Sequence, residues 1–147
     1  MHPPSRLSST SRTLLALTAL YFLASLLHFS HNAEFICEYP NLPAWLTGAK
    51  VYATWAAITS LGAAGLLLIR KRLATLGLAL IAAYAALGFD GLGHYAVAPI
   101  ELHTLGANLT ILSEVAAGAV LLAFTLYVLA LQVTRRRPST SSGSLSV

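Results

Sequence analysis

Apolar positions along the chain gather into four blocks, approximately residues 13–33, 49–69, 73–97 and 104–133, separated by short segments that hold most of the charge and most of the proline. Each block reaches the roughly 20 mostly apolar residues that a helix needs to cross a bilayer. The pattern predicts an all-α fold, an integral membrane four-helix bundle occupying residues 13–133. Composition agrees: 56% of the 147 residues are hydrophobic and 10% are charged, against about 25% charged in soluble domains. The flanking segments, residues 1–12 and 134–147, are rich in Ser, Thr and Pro. They are expected to be disordered, because they have too little apolar surface to bury.

Charge placement predicts orientation. Arg6 and Arg12 precede the first block, Arg70, Lys71 and Arg72 join the second to the third, and Arg135, Arg136 and Arg137 follow the fourth. Eight of the nine basic residues therefore fall on one side, with only Lys50 on the other beside Glu34, Glu38 and Glu101. Because short cytoplasmic loops retain Lys and Arg, both termini are expected to be cytoplasmic, in a plasma (inner) membrane. The net charge of +4 does not imply nucleic acid, since the basic residues line membrane edges and do not form a face with interleaved aromatics. The first block is longer than a signal-peptide core and lacks a small-x-small cleavage site after it, so it reads as a retained helix. Cys37 is the single cysteine, which excludes an intrachain disulfide and the cysteine-pair oxidoreductases.

Small residues recur inside the blocks, as in Gly62-Ala63-Ala64-Gly65 and the series Gly77, Ala79, Ala82, Ala83, Ala85, Ala86 and Gly88. In lipid such residues let helix backbones approach closely. Packing within the bundle is the simpler expectation, and a homo-oligomer interface is the other.

The ionisable residues are distributed unevenly with depth. At about 1.5 Å per residue, His28, Asp90 and His94 fall in the outer half, His31, Glu34 and His103 near the outer boundary, and Glu114 near the midplane. The inner half is almost purely apolar. Spacings of three (His28, His31), four (Asp90, His94) and seven then four (His103, Thr110, Glu114) put each set on one helical face. Facing lipid would cost several kcal/mol, so the stripes are expected to converge inside the bundle, with Thr54, Thr59 and Ser60 supplied by the second block.

Imidazole and carboxylate together are the ligand set of zinc, iron, manganese or copper. The leading expectation is thus a divalent transition metal held by His28, His31, Asp90, His94 and His103 on the external side. Glu114 or Glu34 would serve as the catalytic acid or base toward an apolar or lipid substrate. None of the spacings is a recognised metal motif. Haem between two axial histidines drawn from His28, His94 and His103 is an alternative cofactor. A proton-coupled transporter and a non-catalytic partner subunit are the remaining classes; transport would need polar groups continuing to the cytoplasmic face, which the sequence hardly supplies.

Overall fold

In the computed structural model, which describes residues 6–136, the chain is all helix and turn, with no strand among the described residues. Four stretches are long and apolar enough to cross a membrane: Thr10–Glu34, Gly48–Arg70, Ala74–Val97 and Leu105–Thr134. They match the four sequence blocks to within a few residues. Helix α1 spans Arg6–Glu34 and so takes in residues 6–12, part of the segment expected to be disordered. A helix already nucleated by an apolar run extends at little cost through Ser and Thr. Residues 1–5 and 137–147, the rest of the two expected tails, lie outside the described residues.

Helix α2 spans Gly48–Arg70, opened by Thr47, whose hydroxyl accepts from the Lys50 backbone N–H. The third span is broken: α3 covers Ala74–Leu87, a 3₁₀ stretch covers Gly88–Leu92, and α4 covers Gly93–Val97. Helix α5, Leu105–Arg136, completes the bundle. The start of α1 and the end of α5 pack near the start of α3, at what is here called the basic end. The loops carrying Tyr39 and His103 close the opposite, histidine end.

Close backbone approach explains the small residues. A Cβ on Gly77 would lie 2.6 Å from the Gly65 carbonyl oxygen, and one on Gly65 would lie 2.8 Å from that of Gly77. Gly62 and Gly88 are covered by the rings of Tyr84 and Tyr21, and Gly118 faces the Ala85 carbonyl. These glycines therefore serve packing inside the bundle, where contact between helices must come from dispersion rather than from expelled water. Toward the basic end the core consists of Leu14, Leu78, Ile81, Leu121 and Val128 around the tilted pair Tyr21 and Tyr84, whose rings are 4.6 Å apart. Thr18 and Thr125 are buried there, each donating to the carbonyl four residues earlier on its own helix. Among the described residues, the inner half read from the sequence as apolar is thus a mainly apolar core in which buried hydroxyls such as Thr18 and Thr125 bond within their own helices.

Candidate functional site

At the histidine end the loop following α1 folds back over the bundle. A short 3₁₀ turn, Ile36–Glu38, precedes Tyr39, and Asn41 takes a left-handed conformation with φ of 60°. Asn41 Nδ2 donates to the Val97 carbonyl at 2.9 Å, and Thr104 Oγ1 donates to Glu38 Oε2 at 3.2 Å. The loop is thereby tied to both the end of α4 and the start of α5. Lys50, the one basic residue at this end, is occupied at the edge: its Nζ donates to the Trp45 carbonyl and sits 5.0 Å from that ring's centre.

These ties drive the Tyr39 ring, 3% exposed, among four imidazoles. Its centroid is 4.8 Å from that of His94, 5.7 Å from His31, 6.3 Å from His103 and 6.4 Å from His28. Its hydroxyl donates to His31 Nδ1 at 2.9 Å. Burial pushes the Tyr39 phenol up to about 12, because desolvation disfavours the phenolate. The hydroxyl stays a donor across the neutral range.

The wedge divides the predicted site. On one side His28, Asn32, Asp90, His94 and Glu114 line a cavity of about 250 Å³, whose remaining wall is mainly apolar and includes Phe29, Leu42, Leu46, Val51 and Leu87. His28 and Glu114 are each 2% exposed, and His28 Nε2 lies 3.7 Å from Glu114 Oε2. Thr110 Oγ1 donates to the Ala107 carbonyl at 3.0 Å and stands 3.5 Å from His28 Nδ1. With the Thr110 hydrogen directed at Ala107, the hydroxyl oxygen is free to accept from His28 Nδ1 when that nitrogen carries the proton. Asn32 Nδ2 is 3.2 Å from His94 Nε2, donor to acceptor. Asn32 Oδ1, also buried, has no partner.

Other predicted residues fall outside the cavity wall. His31 turns toward α5, its Nε2 filling the place a side chain on Gly106 would need, at 2.8 Å. His103 is buried behind Tyr39 and Tyr95; its Nδ1 donates to the Pro99 carbonyl at 3.1 Å, and its Nε2 has no partner. Glu34, expected as an acid or base, accepts from the Tyr52 hydroxyl at 2.8 Å on the exposed edge of α1. Of the second-span hydroxyls, Thr54 lines the cavity, whereas Thr59 and Ser60 do not. Asp90 lines the cavity from an exposed position at its rim. Asp90 and His94 thus border the same cavity, although Gly88–Leu92 is wound as 3₁₀ and not as a regular α-helix.

Among the described residues no group of three or more His, Cys, Asp or Glu is placed to hold a metal ion. The Tyr39 ring packs among the four imidazoles, and the His94 and His103 rings lie 6.1 Å apart. The rings of His28 and His94 stand edge to face at 5.4 Å. Asn32 and Tyr39 carry much of the arrangement but are not among the residues the helical faces single out. Asn32 stands four residues after His28, one turn along, a signal the sequence does contain. Tyr39 follows from loop geometry that periodicity does not report. No family model, curated protein or solved structure matches the chain.

Proposed function

We propose that the chain is a membrane-embedded acid–base enzyme, which binds an amphiphilic substrate in the cavity at the histidine end and moves a proton with the His28–Glu114 pair. One observation carries this reading: a buried imidazole and a buried carboxyl group face each other on the wall of an otherwise mainly apolar cavity. Intramembrane ionisable groups are costly and mark functional sites. A pair that can share one proton between Nε2 and a carboxyl oxygen suits general acid–base chemistry. Asn32, His94 and Asp90 would position the substrate's polar group, and Leu42, Leu46, Val51 and Leu87 its apolar part. Eight of nine basic residues fall in the sequence segments that flank the helix ends opposite the cavity, which under the positive-inside rule supports cytoplasmic termini and an external cavity.

The test is proton exchange. Purified protein in lipid nanodiscs is incubated with a total lipid extract in deuterated buffer, and lipid species gaining deuterium are found by mass spectrometry. Enzyme-dependent deuteration that is lost in Glu114→Gln and His28→Gln supports the proposal. Deuteration undiminished in Glu114→Gln, or none with the wild-type protein, overturns it.

A second reading, a metal ion in the same cavity, is favoured by the presence of His28, Asp90, His94 and Glu114 on one wall. It requires these side chains to reorient, since they are not grouped for a metal as placed. Stoichiometric transition metal in the purified protein, lost in His94→Ala, would establish it; metal at background level would remove it.

A further inference from the structure

A second cavity, also about 250 Å³, lies nearer the basic end. It is framed by Phe22 on α1, by Thr59, Ala63 and Leu66 on α2, and by Tyr84 on α3. Along α2, Val51 of the first cavity and Thr59, Gly62 and Leu66 of the second are connected through Trp55 by steps of four, four, three and four, a single face. Along α1, Phe29 of the first cavity and Phe22 of the second are seven apart, again on one face. The Phe22 and Trp55 rings meet at 5.4 Å in the seam between the two spaces. From Phe29 to Leu15, the innermost residue of this lining on α1, the track runs about 21 Å at 1.5 Å per residue.

The chemistry of the outer cavity selects the head group. It is lined by no Lys or Arg. It offers the Asp90 and Glu114 carboxyl groups and the unpartnered, nine-tenths buried Asn32 Oδ1, while Asn32 Nδ2 is already committed to His94. Such a site has acceptors to spare and no Lys or Arg, so it suits a hydrogen-bond donor bearing positive charge better than a phosphate, which would find no cation to pair with. The aromatic face of Phe29 in the same wall also favours a cation. The inner cavity suits the tail: its wall is mainly apolar, and the α1 and α2 faces that line it run on to the outer cavity past the Phe22–Trp55 ring pair.

Resting on the proposal that the outer cavity binds the substrate's polar group, we infer that the two cavities form one track for a long-chain lipophilic amine. Its ammonium lies among Asp90, Glu114 and Asn32, and its chain passes the Phe22–Trp55 pair into the inner cavity.

Trp55 reports on this directly. In a Trp45→Phe protein, Trp55 is the only tryptophan, and hexadecylamine brominated at mid-chain quenches it when bound. Brominated hexadecyl phosphate, brominated hexadecanol and unbrominated octylamine as competitor complete the set, in phosphatidylcholine nanodiscs. The expected result is saturable quenching by the amine at a mole fraction at least tenfold below that of the phosphate, with the preference abolished in Asp90→Asn/Glu114→Gln. Ala63→Phe, or Ala19→Phe from the facing helix should the first fail to fold, fills the inner cavity. Either should weaken the long-chain amine at least tenfold while octylamine still competes. Equal quenching by phosphate and amine would overturn the choice of head group. An unchanged long-chain amine affinity in both filling variants would overturn the track. The absence of saturable quenching by any of the three would overturn both, while the deuterium-exchange result would judge the acid–base pair separately.

Discussion

Replacing Tyr39 by Ala should be the most damaging single change outside the membrane spans. The ring is 3% exposed and has four imidazole centroids within 6.4 Å. Truncating a buried aromatic side chain costs about 3–5 kcal/mol. Its hydroxyl bond to His31 is worth about 1 kcal/mol of that by the usual net value. Tyr39→Phe should therefore lose about 1 kcal/mol, and Tyr39→Ala about three times as much or more. Unfolding in mixed micelles titrated with sodium dodecyl sulfate, followed by circular dichroism, reads both changes. Histidine modification by diethyl pyrocarbonate gives a second readout, since removing the wedge opens His31 and His94 to the reagent. A Tyr39→Ala protein within about 0.5 kcal/mol of wild type, with unaltered histidine reactivity, would refute the placement of this ring.

Three further outcomes follow from the geometry. The phenol of Tyr39 is raised from 10.0 to about 12, so its neutral form is favoured in the fold: this contribution is intact below about pH 10 and is lost as pH rises toward about 12. A thermal-stability profile should show that alkaline decline in the wild type and a shallower one in Tyr39→Phe; identical profiles would deny the burial. Gly77→Leu should destabilise the bundle by about 1–3 kcal/mol, typical of overpacking, because its Cβ would meet the Gly65 carbonyl at 2.6 Å and backbone cannot yield; an unchanged dodecyl sulfate midpoint would contradict it. Glu34→Gln should leave lipid deuteration at the wild-type rate, since Glu34 is engaged by Tyr52 away from the cavity; a loss matching that of Glu114→Gln would return Glu34 to the site.

The spans were legible in the sequence because bilayer thickness demands long apolar runs, and the four blocks supply them almost residue for residue. The inward stripe of Glu114 and Thr110 was legible from spacing, as was the presence of His28 and His94 on facing helices at matching depth. Asp90 and His94 border one cavity as their spacing suggests, even though Gly88–Leu92 is wound as 3₁₀. Two features were not legible. His28 and His31 share a face only broadly; the three-residue step carries His31 toward Gly106, while the four-residue step to Asn32 keeps the cavity. Tyr39 reaches the imidazoles because a left-handed Asn41 and two loop hydrogen bonds fold the segment inward, and such long-range ties leave no periodic trace.

If His28 and Glu114 act as one proton-transferring unit, a double-mutant cycle on the deuteration rate will expose their coupling. Groups that work as a unit are non-additive: once one is gone, losing the other costs little more. His28→Gln, Glu114→Gln and the double variant should all fall to a common residual rate. A double variant slower than either single by the product of their separate effects, or a Glu114→Gln protein as fast as wild type, would contradict it.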